Sequence, residues 1–170
     1  MKLSTKGRYA VTALADIALN TGQDPVSLGD ISGRQDISLA YLEQLFVRLR
    51  RAGLVTSIRG PGGGYRLARD PARISIAEIM AAVDERLNAM GCEGKSGVQG
   101  CGSTREVCLT HTLWEQLSAH VHVFLAQTSI ADVIAERLSP CPAVPDFAAI
   151  LDEDDDAPAP AAGGAAEARA

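Results

Sequence analysis

The run Gly60-Pro61-Gly62-Gly63-Gly64 constrains this chain more than any other feature. Four glycines around a proline cannot continue a helix or a strand, so the chain must reverse there. Leu54-Val55-Thr56-Ser57-Ile58-Arg59 on one side alternates with β-type periodicity, and Tyr65-Arg66-Leu67-Ala68 on the other is the returning strand. The result is a thin two-stranded hairpin with a glycine tip.

What precedes the hairpin is helical, and each boundary carries its own cap or breaker. Gly7 to Asn20 places Tyr9, Ala10, Ala13, Leu14, Ile17 and Ala18 on one apolar stripe, and Thr21-Gly22-Gln23-Asp24-Pro25 ends it. Ser27 caps a second helix, Leu28 to Gln35, with Asp30 at the capping-box position. Asp36-Ile37-Ser38 turns the chain, and Ser38 caps a third helix running to about Ala52. Leu39, Leu42, Leu45, Phe46 and Leu49 share one face of it, and Gly53 terminates it. Helix, helix, turn, helix and hairpin make a mainly α winged helix-turn-helix over residues 1–75.

In such a motif the second helix of the pair enters the DNA major groove. Ser38, Ala40, Tyr41, Glu43, Gln44, Val47, Arg48 and Arg51 lie outside the leucine stripe. Gln44 suits bidentate bonding to adenine, and Ala40 suits a thymine methyl. Glu43 is an acid on a face turned to a polyanion. It either accepts from a cytosine amino group and penalises other bases, or is a solvated charge paired to Arg34, Arg50 or Arg51. The hairpin tip, with Arg59, Gly60, Gly62 and Gly63, is thin enough for a minor groove, whose negative potential attracts arginine. Lys2, Lys6, Arg8, Arg48, Arg50, Arg51 and Arg66 are candidate phosphate contacts. The charge distribution agrees: the net charge is −5, yet residues 1–75 hold 11 Lys+Arg against 6 Asp+Glu.

Ser75 caps a fourth helix, Ile76 to about Asp84, after which a Gly-rich stretch holds Cys92, Cys101 and Cys108. The chain has four cysteines and three histidines in all, so Cys92, Cys101, Cys108 and His111 concentrate its soft-ligand inventory. Eight residues separate the first pair, six the second, and two lie between Cys108 and His111. Thiolate with imidazole suits zinc or an iron–sulfur cluster. The long spacings disfavour zinc, which favours short Cys-x2–4-Cys knuckles. Thr110 to about Gln127 is a long helix carrying Leu113, Trp114, Leu117, Val121, Phe124 and Leu125. His120 and His122 on it face solvent or a partner rather than a metal. Thr128 or Ser129 caps a last helix, Ile130 to Leu138, completing a second segment, 76–138. Residues 139–170 form an acidic, Ala/Pro-rich tail expected to be disordered, with Cys141 an incidental thiol.

No apolar run reaches the ~18–20 residues of a membrane helix, and the N-terminus lacks a signal-peptide core. A cytoplasmic location is expected, where clustered thiols read as metal ligands rather than disulfides. No nucleotide loop, catalytic carboxylate pair or nucleophile–base signature is present, which argues against an enzyme.

Met1-Lys-Leu-Ser-Thr-Lys-Gly-Arg-Tyr-Ala-Val-Thr-Ala, Ile37-Ser-Leu-Ala-Tyr-Leu-Glu-Gln-Leu-Phe, Leu54-Val-Thr-Ser-Ile-Arg-Gly-Pro-Gly-Gly-Gly-Tyr and Cys108-Leu-Thr-His-Thr-Leu-Trp resemble the IscR family of iron–sulfur cluster regulators over roughly residues 1–135. The resemblance implies a homodimeric transcription factor, paired through the long helix, with a [2Fe-2S] cluster in the loop and double-stranded promoter DNA as its partner. It implies a regulator, mainly a repressor, of iron–sulfur biogenesis genes, with the assembly machinery as the cluster's source. Cluster-free protein would act on a second class of sites. The family's ligand pattern is Cys-x5-Cys-x5-Cys-x2-His; here Val98 stands at the middle cysteine position and Cys101 lies three residues further on. Related iron and nitric-oxide sensors of this fold use three cysteines for a [4Fe-4S] cluster, so both cluster types stay open, as does a zinc-stabilised repressor. Retention of His111 favours [2Fe-2S].

Overall fold

The computed structural model describes residues 4–20, 22, 24–85 and 110–138. The order is α1 (Thr5–Asn20), α2 (Leu28–Gln35), α3 (Leu39–Arg51), β1 (Val55–Ile58), β2 (Gly64–Leu67), a single 3-10 turn (Pro71–Arg73), α4 (Ile76–Ala82), α5 (His111–Gln127) and α6 (Ile130–Ile134). Helices and a two-stranded wing are the architecture the capping pattern predicts. The tail 139–170 and Cys141 lie outside the described residues.

The serine caps form as read, while on α2 the Asp30 carboxylate accepts from the Ser27 hydroxyl at 2.7 Å in place of the expected box. The Ser27 hydroxyl accepts from the Asp30 N–H at 3.1 Å, and the Ser38 hydroxyl accepts from the Tyr41 N–H at 3.3 Å. Ser75 and Glu78 make a reciprocal capping box on α4, and Ser129 and Asp132 make another on α6. Each box satisfies N–H groups at a helix start that have no partner within the helix. Gly53, at φ +70°, ends α3 in a left-handed conformation that costs glycine nothing.

Helix ends depart from expectation in two places, because non-glycine residues take positive φ. Asp84 (φ 53°) stops α4 before the expected end, and Glu136 (φ 51°) follows an α6 that is shorter than expected.

Ala10, Ala13, Leu14 and Ile17 of α1 pack at the centre of the core with Ile31, Leu42, Leu45, Phe46 and Leu49 of the next two helices. Ile76, Ile79, Met80, Val83 and Ile130 belong to the same apolar cluster, where α4 and α6 both meet α1. A short antiparallel bridge between Ser75 and Ser129 sets the starts of α4 and α6 side by side, with Ile76 N–H to Thr128 C=O at 2.9 Å and Ile130 N–H to Ile74 C=O at 3.0 Å.

Leu39 is a correction. The stripe predicts it in the core, yet it is 44% exposed. Ile37, immediately before the capping serine, is buried together with Leu42 and fills the core at that end of α3, as a hydrophobic staple does. Leu39 is left on the outer face.

The wing is tied to the chain ahead of α2 on the side nearer its tip. β1 and β2 pair antiparallel with Val55 opposite Leu67 and Ile58 opposite Gly64. Val26, ahead of α2, adds a third bridging residue: its N–H donates to Tyr65 C=O at 3.0 Å and its C=O accepts from Tyr65 N–H at 2.8 Å.

Candidate nucleic-acid interface and metal ligands

Helix α3 presents Ser38, Ala40, Glu43, Gln44, Arg48 and Arg51 on its exposed side. These are the sequence candidates, brought together on one surface. Glu43 makes no ion pair among the described residues, and Arg34, one candidate partner for it, is committed elsewhere. Leu39 and Val47, one helical turn either side of Glu43, are both exposed.

Tyr41 is placed differently from its neighbours. It is half-buried, with its ring edge-on to Tyr9 at a centroid distance of 5.7 Å and an interplanar angle of 90°. Such T-shaped pairs are attractive beyond the area they bury. The ring therefore fixes α3 to α1.

At the wing tip, the Gly63 N–H closes a turn onto Gly60 C=O at 2.9 Å, with Pro61 second and Gly62 third at φ +73°. A positive φ after proline is what a type II turn demands. Arg59, Gly60 and Gly62 are exposed, and Gly63 is half-buried. Its missing Cβ matters: one there would lie 2.5 Å from Ile58 C=O and 2.8 Å from Gly60 C=O.

Arg34, on α2, donates to the buried Asp16 carboxylate of α1 through Nε at 3.0 Å and Nη2 at 2.6 Å. Gln35 Nε2 adds a third bond at 2.7 Å. Burial pushes the Asp16 carboxyl up, but the bonds from Arg34 and Gln35 and the guanidinium charge outweigh it and hold the group below the ordinary aspartate range. This cluster orients α2, the first helix of the motif. The sequence reading missed it, and the one available signal was an aspartate on the apolar side of α1.

Arg48 is also engaged. Its Nη1 donates to Asp84 Oδ2 at 2.5 Å, just past the end of α4. Lys6 Nζ donates to the Asp84 carbonyl at 3.2 Å. Arg8, Arg50 and Arg51 are exposed; Lys2 lies outside the described residues.

Of the four candidate metal ligands, only His111 is described. It is the first residue of α5 and half-buried. Cys92, Cys101 and Cys108, and with them Val98, lie outside the described residues. Three thiols and an imidazole are a donor set suited to an iron–sulfur cluster or zinc, so the residues present fit such a group. His120 and His122 lie on the exposed surface of α5. Among the described residues no helix is long and apolar enough to cross a membrane.

A helix-turn-helix with a polar outer face, followed by a glycine-tipped wing, defines a DNA-binding transcriptional regulator of the winged-helix class. The chain belongs to the Rrf2 family: that family's model, described as an iron-dependent transcriptional regulator, matches residues 3–136. It is similar to the HTH-type transcriptional regulator IscR of Cereibacter sphaeroides, 58% identical over 91% of this chain and 100% of that one. The IscR of Xenorhabdus nematophila is 54% identical over 81% of each chain. Among solved structures, T. potens IscR matches with a TM-score of 0.64 and 36% identity over 81% of this chain and 88% of that one. CymR, the global cysteine regulator of B. subtilis, matches with a TM-score of 0.67 and 32% identity, over 80% and 98%. These relatives are regulators, not enzymes, and so is this chain.

Proposed function

We propose that this protein senses iron–sulfur supply and represses iron–sulfur biogenesis genes, with a [2Fe-2S] cluster held by Cys92, Cys101, Cys108 and His111. The position of His111 carries the reading. It opens α5, half-buried, three residues after Cys108, which supports a helix start as the anchor for one ligand of a set otherwise supplied by a glycine-rich stretch. The 58% identity to an IscR over that protein's whole length supports it. When bound, the cluster supplies an occupancy that responds to iron, sulfide and oxidants.

The chain's own residues do the rest. α4 packs against α5, so the two helices on either side of residues 86–109 already touch. Leu113, Trp114, Leu117 and Phe124 leave an apolar stripe exposed along α5, at a spacing suited to a second copy of the same helix. We read this as the homodimer contact. In a dimer the two α3 helices would take successive major-groove turns of promoter DNA, with Gln44 and Ala40 on base edges and Arg59 at the wing's minor groove. Ligation at the loop biases how the recognition helices are presented. The assembly machinery is the expected source of the cluster, and the cytoplasm the expected compartment.

The replacement of the middle cysteine position by Val98 favours a second reading, a [4Fe-4S] iron or nitric-oxide sensor on three thiols. Anaerobic purification with absorbance, iron and acid-labile sulfide counts separates them. About two irons and two sulfides per chain supports the first reading and about four the second. Colourless zinc protein overturns both, leaving a zinc-stabilised repressor. DNA affinity of cluster-loaded and cluster-free protein at fixed salt tests sensing, and equal affinity on every duplex would end it.

A further inference from the structure

Val83, Asp84 and Glu85, at the C-terminal end of α4, form a junction that touches three parts of the molecule. The first is the start of α1: Ser4 N–H donates to Glu85 Oε1 at 2.9 Å, the Ser4 hydroxyl donates to Glu85 Oε2, and Lys6 Nζ reaches Asp84 C=O. Gly7 allows this approach, since a Cβ there would lie 2.7 Å from Met80 Sδ and 3.1 Å from Glu85 Cγ. The second is the recognition helix: Arg48 Nη1 donates to Asp84 Oδ2 at 2.5 Å and to Val83 C=O at 3.4 Å. The third is given by the sequence, because Glu85 leads directly into the stretch that contains Cys92.

Asp84 is aimed at Arg48 by an unusual backbone. Its φ of 53° is a region that non-glycine residues rarely occupy, and there it turns the chain out of α4. The pair is exposed, with side chains 45% accessible for Arg48 and 78% for Asp84. An ion pair so open to water contributes little to folding stability and exchanges easily. The same guanidinium stands on the α3 surface with Gln44 and Arg51, where a DNA phosphate offers it an alternative anion.

We propose that Asp84 is a positioning residue that competes with the DNA backbone for Arg48, and so sets how much of α3's positive charge is available for binding. The inference rests on the reading above, in which α3 faces DNA and residues 92–111 hold the cluster. Along the sequence, the competitor then stands just ahead of the ligand-bearing stretch.

The test uses full-length protein and one duplex, selected by wild-type protein from a random pool. Affinity is titrated against salt for cluster-free wild type, Asp84→Asn, Asp84→Glu, Arg48→Gln and the Asp84→Asn/Arg48→Gln double variant. Asp84→Asn should bind roughly two- to fivefold tighter, the range set by an exposed ion pair. Its log–log salt dependence should steepen by up to about 0.9, the contribution of one added phosphate contact. Asp84→Glu should keep the wild-type slope. In the Arg48→Gln background Asp84→Asn should change neither quantity. An unchanged slope in Asp84→Asn overturns the proposal, and so does an equal gain without Arg48, which would reduce Asp84 to bulk negative charge. Repeating the wild-type titration with cluster-loaded protein tests the sensing reading separately. A loaded-to-free affinity ratio of one sinks that reading, while the slopes of cluster-free protein decide the role of Asp84.

Discussion

Tyr65, in the second strand of the wing, lies edge-on to Phe46 of the recognition helix, with ring centroids 4.7 Å apart and planes inclined at 64°. The two elements expected to read DNA are thus joined through one aromatic pair. Phe46 is fully buried, and Tyr65 is also tied by both backbone bonds to Val26. The wing cannot swing without disturbing α3 or the entry to α2.

Gly64→Ala should loosen the tie between the wing and Val26. A Cβ at Gly64 would lie 2.6 Å from the Val26 carbonyl carbon, against backbone that cannot rotate away. We expect a loss of about 1–3 kcal/mol, the usual cost of overpacking, with a larger fall in DNA affinity than in folding. Denaturant unfolding and a binding titration check both. A variant of wild-type stability would show that the Val26–Tyr65 bridge yields readily.

Arg34→Ala should destabilise the fold by about 3 kcal/mol, at the low end for breaking a buried pair, because Asp16 is 1% exposed while Arg34 is 40% exposed. Asp16→Asn should cost less, since it removes the charge that needs a partner. The pH dependence follows from the depressed Asp16 carboxyl. A carboxyl held lower in the folded state stabilises above its unfolded value, and this contribution disappears as pH falls through the folded value. Wild type should therefore lose stability in acid more steeply than Asp16→Asn, as seen in unfolding free energies from neutral pH to below the carboxylate range. Glu78 and Asp132, also held low by their capping serines, act in the same direction in both proteins and cancel in the comparison.

Leu117→Glu should leave the fold intact and abolish pairing through α5. No residue of α5 is buried in the single chain, so the substitution removes no core contact there. Sedimentation should show dimers for the wild type and monomers for the variant. A dimeric variant would move the interface elsewhere.

Cys101→Ala should abolish visible absorbance and iron retention, whereas Val98→Ala should leave both unchanged. Iron retained by Cys101→Ala would remove that thiol from the ligand set.

Serine caps, glycine stops and the Gly60–Gly64 reversal were readable from the sequence because they are local. A cap bonds an N–H three residues away, and a positive φ belongs to one residue. Ser27, Ser38, Ser75 and Ser129 each sit where the residue pattern puts them, and with them came the order of helices and the wing. The polar side of α3 was readable too, since helical period fixes which residues share a face.

Tertiary structure decided how each helix is turned against its neighbours and which charges meet. Leu39 and Tyr41 have near-opposite outcomes from the sequence's point of view: the leucine is outside and the tyrosine is half-buried against Tyr9. Only the burial of Ile37 and the approach of α1 settle that. Asp16 with Arg34, and Arg48 with Asp84, join residues 18 and 36 positions apart. Such pairs leave no periodic trace, because long-range contacts depend on where the folded chain brings two elements together, not on spacing along it.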